Sequence, residues 1–570
     1  MQNAKNGTNH PGGGRTAAKS DLAPDAGRLF SGHRDDLSWK FLGLLLLLAL
    51  TARCWWLLSR VTVIEGEGAN YARMAENIAL GKGWIGTQGH LQVFYPPLYP
   101  LLIAGTYPLF HDAEIAGRLI SILFGTFLVI PIFLIAREWY GQSVGYLAGM
   151  IVALHPVLVG ISAAVFSEST YLCILFLAFY WGLRSAIEQS YGKAIAAGAL
   201  FGLAYLTRTE SLMETAFLAV LVLLCGRKDK SKAVGVAACL SLACILVGAP
   251  YVWFLKSHTG QFRLEAKSAN NFAFGKMRLA GESWEPAYRR VDDNLNPVGL
   301  SMRTDLDVLQ TTKFSLPIAA QILRLAAHDN IRSFAGDLLE ERAVGGFVLI
   351  GLVSLGLFSS PWSRERVAGE MILMVFLLCL FLPILSLVDY FNFRYVVPIL
   401  LILVLWTAKG IAEFAGWSGN TVQAVLRSPD RARWGRTGGL LVAAGALLLV
   451  AWPAVNHIDN LRGDDPALKT VGLRLKGLLS NGPVVMDTDN RIAFYSGGIY
   501  RPYPYASQAT ALRYIAANNV AALVIKERNA ETNNPYYQNW AAGGIPEPGA
   551  SLILSVPSKV YGKILVYRLR

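Results

Sequence analysis

The 570-residue chain is 53% hydrophobic and 16% charged, where soluble domains average roughly 25% charged, and its mean hydropathy is +0.39. The apolar residues fall in blocks of about 17–23, the length that crosses a hydrocarbon layer, which excludes one large soluble core. The net charge of +13 sits mostly in short connections between these blocks, with no basic stripe interleaved with aromatics, so the positive-inside rule explains it and nucleic acid is excluded as a partner.

Residues 1–38, rich in Gly, Ala, Asp and Lys/Arg, read as a disordered cytoplasmic tail. The first apolar block starts too late and runs too long for a cleaved signal peptide, so it reads as an uncleaved first helix. Eleven spans are predicted within a transmembrane domain at 39–455: 39–58, 115–136, 143–163, 168–187, 193–208, 210–226, 233–256, 343–360, 369–388, 395–412 and 437–455. With the N-terminus in the cytoplasm, every cytoplasmic connection carries positive charge: Arg137; Arg184 and Lys193; Arg227, Lys228 and Lys230; Arg364 and Arg366; Arg427, Arg431, Arg433 and Arg436. The block at 95–110, with Pro96, Pro97, Pro100 and Pro108, is too short to span. Counting it as a crossing inverts every later loop, so it is expected to lie in or near the interface.

Three sizeable pieces then fall outside: a loop at 60–114, a loop at 257–342 and the segment after 456. In the first, Tyr71, Met74, Ala75 and Ile78 recur at helical spacing and Gly81 and Gly83 end the pattern, which predicts an amphipathic helix. Residues 456–570 alternate β-like and helical runs: strands at 483–487 and 521–527, a helix near 507–518 and a closing pair near 551–569. They predict a small periplasmic α/β domain. The six cysteines lie in or beside apolar blocks without metal-ligand spacing; they read as buried thiols, and no disulfide framework is implied.

Ionisable residues at span ends carry the functional signal, because burying them is costly. Glu65 and Glu67 follow the first helix; they are either a solvated loop start or a general base at the membrane surface, a role that favours a raised pKa. Glu168 opens the fourth span behind Ser167, where both suit a helix N-terminus. Arg208 and Glu210 occupy a tight turn, read locally as an ion pair, and Arg394 begins a later span, read locally as a snorkelling cation. Together the threading places two arginines and four glutamates on one membrane face. Guanidinium suits a phosphate held at an interface, and a carboxylate beside it suits activation of an acceptor hydroxyl. No glycine-rich nucleotide-binding loop is present.

A series of motifs in order carries a resemblance over roughly residues 38–410. It runs Glu67-Gly-Ala-Asn-Tyr71-Ala72, then Tyr95-Pro96-Pro97-Leu98-Tyr99-Pro100, Gly117-Arg118-Leu119 and Ala136-Arg137-Glu138-Trp139-Tyr140-Gly141. His155-Pro156, Ser167-Glu168, Tyr205-Leu206-Thr207-Arg208-Thr209-Glu210 and Arg394-Tyr395-Val396-Val397-Pro398 follow. The sequence resembles the GT-C glycosyltransferases, specifically the protein O-mannosyltransferase-like family 39 and the lipid A aminoarabinose transferases. The resemblance implies a mainly α-helical polytopic fold and an inverting transfer of a sugar from a polyprenyl-phosphate donor to a polysaccharide, lipid or protein hydroxyl. It implies a site facing the periplasm of a bacterial cytoplasmic membrane and a chain working as a monomer. It maps the base to Glu67, with Glu65 as the alternative, a second acidic position to Glu168, and the carrier-phosphate contacts to Arg208 and Arg394. Tyr71, Tyr95 and Glu210 are expected to contact substrate. No cofactor is assigned; if a divalent cation (Mg or Mn) takes part, Glu67 and Glu168 are its expected ligands. Two positions depart from the family pattern: Glu stands where Asp is frequent, and Phe94 and Tyr95 replace charged residues before the Pro-Pro pair. A transporter or flippase of lipid-linked sugars is the alternative, but paired repeats and helices broken at the midplane, its usual marks, are not evident in the sequence.

Overall fold

A computed structural model describes residues 39–339, 346–386, 388, 393–426, 430–460, 465–479, 482–528, 532–546 and 549–569. The expected tail at 1–38 lies outside them. The chain is a mainly helical, multi-pass membrane protein. Among the described residues six helices are long and apolar enough to cross a bilayer: Trp39–Arg60, Ala113–Tyr140, Glu168–Glu188, Lys230–Thr259, Arg364–Leu385 and Arg394–Val425. A seventh crossing counts the pair Gln142–Leu154 and Pro156–Ala163, bent by 50°. The other blocks expected to cross form the shorter helices Tyr191–Tyr205, Ser211–Cys225 and Gly346–Phe358, and part of Arg431–Asn460. A helix of 15 residues is about 22 Å long, less than the ~30 Å hydrocarbon depth.

The bend in the broken pair has a local cause. Pro156 has no N–H to donate to Val152. Arg53, fully buried in the first helix, supplies the missing donors: Nη2 bonds the Val152 carbonyl at 3.2 Å, and Nη1 bonds Ala153 at 3.1 Å and Ala49 at 3.0 Å. Backbone freed inside a bilayer persists only where such a partner re-satisfies it. All six cysteines are free; Cys173 and Cys244 are buried and the other four partly exposed.

The expected amphipathic helix runs Gly66–Ala79, and Gly81 and Gly83 follow it with φ of 73° and 87°. These are values that glycine adopts without steric cost. The proline-rich block forms Leu98–Phe110. Both helices are buried further than an interfacial position requires. Tyr71, Ala72 and Ala75 of the first, and Tyr99 and Ile103 of the second, share a core with Val471, Ile492 and Val524 of the C-terminal domain. The 257–342 loop, read as a loop from its sequence, contains helices Lys267–Leu279, Trp284–Arg289, Asp305–Thr311 and Leu316–Leu339.

The C-terminal domain is a five-stranded mixed sheet: β1 (Val484–Asp487), β2 (Ile499–Pro502), β3 (Ala522–Lys526), β4 (Ser551–Ser558) and β5 (Gly562–Arg568), in the order β2-β1-β3-β5-β4. Strand β1 is parallel to β2 and β3, and β5 is antiparallel to β3 and β4. Four of the strands match the expected runs; β2, four residues with one proline, carries too little pattern to be read. The central strands are buried on both faces: Val485 and Val524 pack toward the membrane helices, Met486, Leu523 and Ile525 toward Tyr514 and Trp540. At the C-terminal ends of β1 and β3 the fully buried Lys526 ammonium lies 3.1 Å from Asp487 and 2.6 Å from Asp489. Removing the cation leaves the fully buried Asp487 without a counter-ion, whereas Asp489 keeps Arg491 at 3.0 Å. Lys526→Met is therefore expected to destabilise the domain by about 3–5 kcal/mol, read as an earlier thermal unfolding transition of the purified protein; Lys526→Arg retains the charge and is the smaller change.

Candidate functional site

The site lies where the membrane helices meet the C-terminal domain, and its centre is a chain of alternating charges. Glu168, in the first turn of Glu168–Glu188, takes both arginines on one oxygen: Arg208 Nη1 and Arg394 Nη1 each lie 3.1 Å from Oε1. Arg394 Nη2 continues to Glu67 Oε2 at 2.7 Å, and Arg208 Nη2 to Glu210 Oε1 at 3.3 Å. The order is Glu67–Arg394–Glu168–Arg208–Glu210. Aromatic faces flank the guanidinium groups: Arg394 lies over Phe166 at 4.2 Å, and Arg208 over Tyr395 at 5.4 Å and Tyr171 at 5.7 Å. Such contacts favour a cation in a partly desolvated place.

Each segment brings its residue by a local device. Glu67 is in the first turn of its helix, where the dipole favours a carboxylate. Arg208 stands in the break between Tyr191–Tyr205 and Ser211–Cys225, with its N–H bonded to the Ala204 carbonyl. Arg394 lies in the single 3-10 turn Phe393–Val396 that precedes Val397–Val425, and Pro398 is compatible with that helix start. Ser167 is the residue before Glu168–Glu188 but makes no cap bond; its Oγ instead accepts from Tyr71 Oη at 3.3 Å. Tyr71 also reaches Glu67 Oε1 at 3.3 Å and meets the Tyr95 ring edge-on at 5.0 Å.

Burial alone raises the Glu67 carboxyl, but the Arg394 guanidinium, with Lys267 and Arg208 nearby, outweighs it and holds Glu67 at about 2 against an ordinary 4.5. The raised pKa that suits a general base is absent, because the base candidate is locked to an arginine.

Seven predicted residues converge here: Glu67, Tyr71, Tyr95, Glu168, Arg208, Glu210 and Arg394. Glu65 is elsewhere. It stands just before Gly66–Ala79 without making a side-chain cap bond, its Oε2 accepts the Val165 N–H at 3.1 Å, and it lines neither cavity beside the charge chain. Lys267 is the residue that sequence reasoning missed. It lines both cavities, yet it stands among Arg263, Glu265, Lys276 and Arg278 in a loop where no spacing separates it from solvated charge.

Two cavities meet at Glu67. The narrower one holds Tyr71, Thr207, Arg208, Glu210 and Lys267, at the ends of the membrane helices. The larger, about 600 Å³, opens between the two loops and the C-terminal domain; Glu67, Phe94, Tyr95 and Lys267 belong to both. Glu67 and Glu168, the expected metal ligands, are both engaged by Arg394. Among the described residues no group of three or more His, Cys, Asp or Glu is placed to hold an ion. A pair of carboxylates bridged by a guanidinium does not fit a divalent cation.

The model of the dolichyl-phosphate-mannose-protein mannosyltransferase family matches residues 95–254. No curated protein matches the sequence. Among solved structures, ArnT from Cupriavidus metallidurans in the apo state superimposes with a TM-score of 0.53 at 12% identity, covering 93% of this chain and 97% of that one. The same protein bound to undecaprenyl phosphate gives 0.52 at 13% identity, with the same coverage. The Archaeoglobus fulgidus oligosaccharyltransferase, in complex with Zn and sulfate, gives 0.52 at 12% identity over 93% of this chain and 73% of that one. At these identities the likeness is one of fold. The superposition covers 93% of the chain, so the shared fold takes in the membrane helices and the C-terminal domain together.

Proposed function

We propose that the chain is a glycosyltransferase that moves a sugar from a polyprenyl-phosphate carrier to an acceptor hydroxyl with inversion, on the periplasmic side of a bacterial cytoplasmic membrane. The observation that carries this reading is the charge chain at the mouth of the membrane helices, with a carboxylate at one end and two arginines within it. ArnT, of the same fold, binds undecaprenyl phosphate, and the matched family is described as using a dolichyl-phosphate sugar.

In this reading the carrier phosphate enters the narrow cavity. The two arginines are already paired, so the phosphate must displace a carboxylate; Glu210, at 3.3 Å and the most exposed partner, is the group that yields. Lys267, on the same cavity, adds a point charge. The Glu67 carboxylate takes the proton of the acceptor hydroxyl, whose oxygen attacks the anomeric carbon from the face opposite the phosphate. The bond from that carbon to the phosphate oxygen breaks, and its electron pair leaves with the polyprenyl phosphate. Arg208, Arg394 and Lys267 stabilise the added negative charge, which is greatest in the transition state. Competition by the phosphate for Arg394 loosens its grip on Glu67 and makes the carboxylate more basic when the donor is in place. No step is assigned to a metal. The orientation follows the basic connections, which all fall at the end of the bundle away from the C-terminal domain in the threading. The working unit is taken to be a monomer. A flippase reading leaves the carboxylate without a role.

Reconstitution with a radiolabelled polyprenyl-phosphate sugar and a cell-envelope acceptor fraction tests this. Glu67→Gln is expected to lower kcat about 10²–10⁴-fold with donor binding retained, whereas Arg208→Lys raises the donor KM about tenfold or more, the loss of one charge-assisted hydrogen bond. Unchanged transfer by Glu67→Gln rejects the base assignment, and lipid movement across the bilayer without sugar transfer rejects the enzyme. A second expectation concerns pH. Since kcat/KM reports the free enzyme and Glu67 there stays ionised down to about 2, kcat/KM should show no acid limb from this group between pH 4 and 7 (values about which carboxylates ordinarily titrate or lie above). Arg394→Ala removes the chief cause of the lowering while burial continues to raise the pKa, so an acid limb should appear in that window. A wild-type limb there that Glu67→Asp shifts would contradict this account.

A further inference from the structure

The larger cavity has a wall chemistry of its own. Six carboxamides line it: Asn70, Gln88 and Gln92 from the first loop, Asn270 and Asn271 from the second, and Asn490 from the C-terminal domain. Amides carry donors and acceptors together without charge, and they are mostly found at the surface unless something pairs them. Here part of that capacity is used internally: Asn70 Oδ1 accepts from the Thr87 N–H at 3.0 Å, and Asn490 Nδ2 donates to the Gly66 carbonyl at 2.8 Å. Asn70 Nδ2 also donates to Tyr95 Oη at 3.2 Å, Gln88 Nε2 donates to the Ser301 carbonyl at 3.3 Å, and Gln88 and Gln92 both bond the His90 ring, so the open capacity lies with Asn270, Asn271 and Asn490. Among the described residues the side chains of Asn270 and Asn271 make no hydrogen bond, and Asn490 Oδ1 accepts none.

The ionic groups on the same walls are largely committed. Glu67 and Arg394 hold each other. Asp305 accepts the N–H groups of Val93 at 2.9 Å and Phe94 at 3.2 Å. Arg303 donates to the Asp307 carbonyl and to Thr311. Lys267 stands on the border with the narrow cavity. Glu67 cancels Arg394, and Asp305 offsets one of the two cations Arg303 and Lys267, so the walls carry little net charge for an anionic ligand, while a polyhydroxylated one meets the open amides of Asn270, Asn271 and Asn490. Tyr95, Tyr288 and Tyr500 add ring surfaces to the same cavity, suited to the apolar faces of sugar rings. The volume, about 600 Å³, is that of a full ligand site.

The C-terminal domain's share has a structural logic. Asn490 follows β1 by three residues, at the C-terminal edge of the parallel strands β1, β2 and β3, with β2 and β3 on opposite sides of β1. That is the edge at which open α/β sheets hold ligands.

We infer that this cavity is the acceptor site, that its acceptor is an uncharged oligosaccharide, and that Asn490 and Asn271 are specificity-determining residues that bond its hydroxyls. The inference rests on the transferase reading above, and it narrows the acceptor to one of the three classes. Glu67, on the wall shared by both cavities, is then the one carboxylate of the charge chain that faces acceptor and donor alike.

The test uses the full chain in lipid nanodiscs on an array of uncharged, uronate-bearing and phosphorylated oligosaccharides together with Ser/Thr-containing peptides. Binding of undecaprenyl phosphate is measured in parallel. The expected result is retention by uncharged oligosaccharides, weakened at least tenfold by Asn490→Ala and by Asn271→Ala. The second variant removes a side chain with no hydrogen bond among the described residues, so it separates lost recognition from lost folding. Preferential retention by anionic glycans or by peptides, retention by no oligosaccharide, or full retention by both variants overturns the inference. If undecaprenyl phosphate still binds in an Arg208-dependent manner, that outcome leaves the donor reading standing; loss of lipid binding from the wild type as well would count against the transferase itself.

Discussion

One carboxylate oxygen holds the site together. Glu168 Oε1 accepts a hydrogen bond from Arg208 and forms an ion pair with Arg394, so three segments separated by 40 and 186 residues end at one atom. The Glu168 side chain is only 5% exposed, and a charge so placed is costly unless paired. The constraint runs in both directions. The arginines need Glu168 to enter a partly dehydrated place, and Glu168 needs them as its counter-charges. Glu67 and Glu210 complete the outer valences of the guanidinium groups. No part of the chain can move far without exposing a buried charge, which fixes the break at 206–210, the turn at 393–396 and the start of Gly66–Ala79 relative to one another.

Under the proposed reaction, a site balanced in this way is closed to its phosphate-bearing donor until something is exchanged. A phosphodiester brings one negative charge and can take over an arginine only from a carboxylate. The exchange is favourable at the ends of the chain, where Glu210 and Glu67 are the more exposed members, and unfavourable at Glu168 in its centre. The same pairing that stabilises the empty site thus sorts its carboxylates into a fixed one and two replaceable ones. The two replaceable ones are the residues that face the cavities.

Much of this was legible in the sequence. The membrane blocks follow from length and hydropathy, and the proline-rich stretch was refused as a crossing because it inverted the charge pattern; it forms the short helix Leu98–Phe110. That refusal placed Glu67, Glu168, Arg208 and Arg394 at one end, where the structure brings them into contact. What stayed hidden depended on partners rather than on pattern. Nothing in EGEGANYARM says that its helix is covered by Ile492 and Val471 from far along the chain. Lys267 resembled its charged neighbours. The lowered pKa of Glu67 arises from Arg394, 327 residues away. Local pattern alone did not separate Glu65 from Glu67, since both follow the first span; the motif resemblance favoured Glu67. They differ because Glu65 turns back to the Val165 N–H while Glu67, one helical step further, points along the helix face that carries Tyr71 toward Arg394.

The position of the C-terminal domain follows from the same geometry. In the proposed reaction, a base that must reach an acceptor cannot be sealed inside the bilayer, and a lipid phosphate cannot leave it. Glu67 therefore has to stand at the boundary, and the aqueous side of that boundary needs walls of its own. The first loop alone offers a helix too short to enclose a ligand. The Asn490 bond to the Gly66 carbonyl at 2.8 Å ties the end of β1 to the residue before Glu67, so the domain that roofs the larger cavity also fixes the helix start that aims the carboxylate. Because that helix start is shared, the proposed acceptor recognition and base placement would form one mechanical unit: displacement of the domain would open the cavity and misalign Glu67 together. On this geometry the domain is a structural part of the site, in addition to any recognition it performs.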